Sequence, residues 1–196
     1  MLKVLFLIHD LHHGGAEKVL VNLVNHMDHK KFDITILALF GGGVNEQFLS
    51  PEVRLLHGHS HAIPGNSHIM KMFSPQQLFR YYIKEKYDII VSYLEGPSAR
   101  IVSGCPDDGT KLQHTIKKAA RAFRTPAEAV RCYARFNRTI CVAQSVADDF
   151  QAIFALKRIP NVLYNTVESD VIRAKAEEKI DQEQLFKDAL KLVGVG

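Results

Sequence analysis

Apolar and polar positions set two rhythms along this chain. Val4 to Ile8 is an unbroken apolar run, the pattern of a strand buried on both faces. Polar and glycine residues follow, and then Val19, Leu20, Leu23 and Val24 recur at helical spacing, which predicts a helix opening near Ala16. Phe32 to Phe40 alternates and then turns fully apolar, a second strand ended by Gly41-Gly42-Gly43. Those glycines read as a mobile turn beside the first glycine loop. A short helix over Asn45 to Leu49 stops at Pro51, and Val53 to Leu56 is a brief strand. Ser74-Pro75 is a helix start with a serine cap, and Leu78, Phe79, Tyr82 and Ile83 form its apolar face. Tyr87 to Tyr93 is a strand, Pro97 to Val102 a helix, and Thr110 to Thr115 a weak strand.

Pro126 divides the stretch from Lys117 to Arg138 into two helices, with Thr125 capping the second and Val130, Tyr133 and Ala134 turned inward. Thr139 to Ala143 is a buried strand. Ser145 caps the next helix, paired with Asp148, and Val146, Phe150, Ile153 and Phe154 form its apolar face. Pro160 to Asn165 gives a short strand and turn. Charged helices follow over Ser169 to Glu178 and Gln182 to Lys191, and an apolar strand begins at Leu192. This order predicts the α/β class, with a mostly parallel sheet and helices on both faces. There is no solenoid repeat and no Pro/Ser-rich linker.

With 196 residues, one domain, or one and a fragment, is expected. An apolar content of 46% and a charged content of 23% fit a soluble globular protein. No run approaches the ~20 apolar residues of a membrane span. Met1 to Ile8 lacks the cleavage site of a signal peptide, so a true start and a cytoplasmic protein are expected. Cys105, Cys132 and Cys141 are odd in number and widely spaced, so no zinc or dithiol motif is formed. Cys141, in an apolar run, reads as an inert core thiol. A net charge of +4 is mild and does not call for nucleic acid.

Candidate chemistry starts at the first strand-to-helix turn. A helix opening on Gly14 and Gly15 offers free N–H groups and the positive end of its dipole, and glycine lets a ligand approach the backbone closely. That arrangement suits an anion such as a phosphate. Gly-x-Gly-x-x-Gly and the P-loop pattern are both absent, and the two glycines serve equally well to close a tight turn. Glu95, at the carboxyl end of the Tyr87–Tyr93 strand, has two open roles: binding a sugar hydroxyl, or capping the helix that follows. Four histidines between His57 and His68 suggest metal, but no Asp, Glu or Cys joins them and the segment is rich in Gly and Pro. A loop bending over a pocket is the better reading. Arg121, Arg124, Arg131 and Arg135, with Arg138, form a basic stripe, which is either a solvated face or a contact for acidic head groups or a lipid-linked phosphate.

Several segments resemble one family. His12-His13-Gly14-Gly15-Ala16-Glu17 is similar to the opening of the retaining group 1 glycosyltransferases of GT-B fold. Val91-Ser92 with Glu95-Gly96-Pro97 resembles that family's fourth-strand exit. Cys141-Val142-Ala143-Gln144-Ser145 resembles a later strand and its serine. Val162-Leu163-Tyr164-Asn165-Thr166-Val167-Glu168 resembles the crossover between its two domains, with Thr166 where proline is usual. Leu192-Val193-Gly194-Val195-Gly196 resembles the first strand of the second domain. Lys111-Leu112 passes almost directly into Lys117-Lys118, where the family has a strand ending in histidine, so His114 is not carried over as the acceptor-side histidine.

The resemblance implies a three-layer α/β/α Rossmann-like domain, one half of a GT-B fold. Residues 1–165 would form the amino-terminal acceptor-side domain. Residues 166–196 would hold crossover helices and the start of a donor-binding domain. It implies sugar transfer from a nucleotide-sugar donor to a glycan or lipid-linked acceptor, as in cell-surface polysaccharide biosynthesis. It also implies no cofactor and no metal, a cytoplasmic or membrane-peripheral setting, and an inactive fragment when the donor domain is missing. Gly14, Gly15 and Glu95 would line the interdomain cleft. The rival reading is a non-catalytic α/β ligand-binding or interaction module.

Overall fold

The structure is a computed structural model that describes residues 1–61, 69–94, 96–116, 126–154, 157–165 and 169–178. Several expectations fall outside those residues: the histidine loop over 62–68, Glu95, the basic stretch with Arg121, Arg124 and the Thr125 cap, the crossover at Thr166 to Glu168, the helix over 182–191 and the terminal strand; His57 and His59, expected in that loop, lie instead in the strand Arg54–His59. The chain divides into two compact units, Met1–Asn165 and Thr166–Gly196. In the second, the described residues form one helix, Ser169–Ala176.

The first unit is built on seven strands: β1 Leu2–Ile8, β2 Phe32–Phe40, β3 Arg54–His59, β4 Ile89–Tyr93, β5 Lys111–Ile116, β6 Arg138–Cys141 and β7 Asn161–Val162. They pair in the order β3-β2-β1-β4-β5-β6-β7, every pair parallel. The α/β class and the parallel sheet therefore stand as expected, and the sheet is entirely parallel. Strand order reverses between β1 and β4. That is the switch point at whose carboxyl rim ligands bind in open α/β sheets.

The apolar runs have two faces to fill. Val4, Phe6 and Ile8 of β1, with Ile34, Ile36 and Ala38 of β2, pack with Leu20, Val21 and Val24 of helix α1 (Gly15–His26). Leu5, Leu7, Leu37 and Leu39 pack on the other side, with helices α2 (Pro75–Tyr82), α3 (Pro97–Ser103), α4 (Pro126–Ala134) and α5 (Gln144–Phe154). Each buried aliphatic side chain contributes roughly 1.5–3 kcal/mol, so this two-sided filling sets the register of β1 and β2.

Six local expectations change. Gly41-Gly42-Gly43 is a bonded turn: Gly41 N donates to His59 O at 2.9 Å and Asn45 N to Leu11 O at 2.9 Å. A Cβ on Gly43 would run into the Leu11 carbonyl, so this glycine lets two loops meet. The weak strand at Thr110 to Thr115 is a full central strand. The basic stripe breaks: α4 ends at Ala134, Arg135 lies in a turn and Arg138 opens β6. The buried face of α4 is Ala129, Cys132 and Tyr133, while Val130 and Ala134 are exposed. Ser145 is already inside α5, and Gln144 Nε2 instead donates to Asp148 Oδ1 at 2.8 Å. Ala147, Phe150 and Phe154 face the core, and Ile153 is exposed.

Candidate functional site

At the switch point, α1 opens where β1 leaves the sheet. Gly14 is the cap residue, in extended backbone and with no side chain to bond the first turn. Lys18 N donates to Gly14 O at 3.1 Å, so the N–H groups of Gly15, Ala16 and Glu17 precede the first intrahelical bond. A Cβ on Gly15 would meet nothing within 4 Å, whereas one on Gly14 would overlap the Glu17 carboxylate. That carboxylate leans back over the turn, where the helix dipole favours an anion. The space beside Gly15 is a cavity of about 250 Å³, lined also by Ala16 and Val19 of α1, Tyr93 and Leu94 from the end of β4, Thr115, Val142 and Asn165.

Two residues of that wall carry no sequence signal. Leu94 has φ +64, a conformation that costs a non-glycine residue on the order of 1 kcal/mol. Ser98 Oγ donates to the Tyr93 and Leu94 carbonyls at 3.4 Å each and ties the turn to α3. Tyr93 is buried, and burial, with the Glu17 charge adding, pushes its phenol up to about 12. It is therefore a protonated donor at neutral pH.

The rim continues over β1, β2 and β3. His9 Nδ1 donates to Asp10 Oδ2 at 2.6 Å, and His12 N donates to Asp10 Oδ1 at 3.0 Å. Burial pushes the Asp10 carboxyl up, but the His12 amide and the two imidazoles outweigh it and hold it below the usual range. Beside it, His9, Phe40 and His59 follow one another at ring separations of 5.0 and 5.8 Å. His59 Nε2 meets the Tyr82 hydroxyl at 3.0 Å. Among the described residues, no group of three or more His, Cys, Asp or Glu is placed to hold a metal ion.

Other candidates stand away from this cleft. Ser92 and His114 are fully buried, with His114 Nδ1 bonded to Ser92 O at 3.1 Å, so neither faces the cleft. A larger cavity of about 820 Å³ includes Arg80, Arg100, Arg131 and Arg135. It lies toward the amino end of the sheet, since its Cys105 and Arg135 sit just before β5 and β6. Arg135 Nη2 donates to Cys105 O at 2.6 Å and Arg100 Nε to Glu128 Oε1 at 2.9 Å. Those two guanidiniums are engaged by protein groups, so size alone does not make this the site. All three cysteines are buried, and burial pushes the Cys132 thiol up to about 12.

The fold has a known counterpart. The solved structure of Anabaena Alr3699/HepE in complex with UDP superposes with a TM-score of 0.53 at 16% identity, over 89% of this chain and 49% of that one. At that identity the likeness shows the fold alone, an α/β Rossmann-like domain; this chain spans about half the length of HepE. No curated protein matches the sequence. The profile of Glycosyltransferase Family 4 matches residues 13–171, from the glycine turn into the helix after β7. The chain therefore belongs to glycosyltransferase family 4.

Proposed function

We propose that residues 1–165 are the amino-terminal, acceptor-side half of a retaining glycosyltransferase. The sugar moves from a nucleotide-sugar donor to a hydroxyl of a glycan or lipid-linked acceptor. Residues 166–196 lead toward a donor-binding domain, and the whole works in the cytoplasm on cell-surface polysaccharide. Family membership supports the reaction class, and the open approach to Gly15 beside the switch point supports the location. In this reading Gly14 and Gly15 bring the α1 amides to the donor diphosphate or the acceptor, and Glu95 stands on the cleft wall. The leaving diphosphate is stabilised by cationic groups and helix N-termini, with no cofactor and no metal.

The test is turnover of nucleotide-sugars by the 196-residue chain. The expected result is none, because most donor contacts lie elsewhere. UDP release at roughly 1–1000 s⁻¹, the range of complete enzymes, would refute the half-enzyme reading. Gly15→Ala separates function from folding. Its methyl meets no protein atom, and alanine is the better helix former by up to about 1 kcal/mol. Stability should hold or rise in thermal denaturation, while nucleotide binding at the turn falls. A variant that melts several degrees lower would assign the glycine to packing instead.

A further inference from the structure

From Val53 to Lys84 the chain has no Asp or Glu. Among the described residues of that stretch, Met72 is 78% exposed, Tyr81 58%, Ile69 48% and Phe73 46%. Ile69, Phe73 and Tyr81 surround one apolar cavity of about 490 Å³, with His59 and Tyr82 at its wall. The turn that presents them is held from below. Buried Arg100 donates from Nη1 to Met70 O at 2.8 Å and from Nη2 to Phe73 O at 2.6 Å, and Ser74 caps α2. Lys71 stands among the apolar residues in sequence, and Lys84 lies 5.5 Å from the Tyr81 ring centroid.

We propose that this face docks on an anionic lipid bilayer. A rigid apolar tip with a cationic, acid-free fringe matches the interface of such a membrane, where apolar side chains enter the acyl boundary and each Lys or Arg gains from anionic head groups. The same charge argues against a second copy of this chain, since two such faces would bring like charges together. Among the described residues no helix is long and apolar enough to cross a bilayer, so the contact is peripheral. It replaces the arginines around α4 as the lipid-facing surface, because the cavity that Arg131 and Arg135 line lies toward the amino end of the sheet. The inference does not depend on the sugar-transfer reading.

Co-sedimentation of the 196-residue chain with vesicles tests it, comparing pure phosphatidylcholine with an equal mixture of phosphatidylcholine and phosphatidylglycerol. Binding to the mixed vesicles is expected to be at least about tenfold stronger and to weaken with salt. Met72→Ser with Phe73→Ser should lower it about tenfold. Lys71→Gln and Lys84→Gln should lower it about fivefold each, and Arg131→Glu should leave it within about twofold. Circular dichroism and thermal melting confirm that each exposed-residue variant is folded. Failure to bind mixed vesicles, equal binding to neutral ones, or loss with Arg131→Glu but not with the Met72/Phe73 pair would overturn the proposal. So would concentration-dependent dimerisation abolished by that pair.

Discussion

Replacing Arg100 by methionine is expected to cost about 3–5 kcal/mol of stability. Its side chain is 8% exposed and reaches Glu128 Oε1 at 2.9 Å, Met70 O at 2.8 Å and Phe73 O at 2.6 Å. One guanidinium thus joins α3, α4 and the turn before α2. Methionine keeps most of the volume, so little of the loss comes from a cavity. The cost arises because Glu128 loses its cation in a half-buried position and two carbonyls lose charged donors. Urea denaturation should show a lower midpoint with an unchanged slope. A loss below about 1 kcal/mol, the range of exposed ion pairs, would mean that water already reaches this network.

Acid should weaken the fold through His114. The ring is fully buried against Tyr133 and Phe136 at 5.2 and 5.1 Å, and burial pushes its pKa down to about 4, the bond to Ser92 O only partly offsetting this. Above the unfolded value near 6.5 both states are neutral and the contribution is fully present. As pH falls from about 6.5, the unfolded chain takes up the proton and the folded chain does not. The loss grows until about pH 4 and reaches roughly 3 kcal/mol. His114→Phe keeps an aromatic ring and removes the titration, so its stability should fall less between pH 7 and pH 4 by that amount. Parallel curves for the two proteins would show that His114 is hydrated or already protonated at neutral pH.

His114 also shows why some of this fold was hidden in the sequence. β1 and β2 were legible because two-sided burial leaves a continuous apolar run. In β5, Lys111, Gln113, His114 and Thr115 break that run, although His114 fills a core position through its rings. The end of α4 was misjudged for a related reason. Arg135 and Arg138 continue a helical charge period, but Asn137 N donates to Leu112 O and its Oδ1 accepts from Leu112 N, both at 2.8 Å. That pair fixes the entry into β6 and can be seen only once the strands are side by side.

The candidate site was legible in the same uneven way. A strand, two glycines and an amphipathic helix mark a turn with accessible amides whatever follows, so Gly14 and Gly15 could be picked out from local pattern. Tyr93 and Leu94 beside the glycine turn, and Asp10 and the rings around His59 farther along the rim, are placed only by the order of the strands. A leucine at φ +64 has no signature in composition. Gly43 looked like a mobile residue because its reason, the Leu11 carbonyl, lies on another loop.

The central claim is that the α1 turn beside β4 receives a ligand of a glycosyl-transfer reaction. Amide chemical shifts of the ¹⁵N-labelled chain, followed as UDP is added to millimolar concentration, test it most directly. The account predicts saturable shifts at Gly15, Ala16, Glu17 and Leu94, reduced in Gly15→Ala at unchanged stability. Shifts confined to other parts of the sheet rim, or equal in the chain and its Gly15→Ala variant, would contradict it.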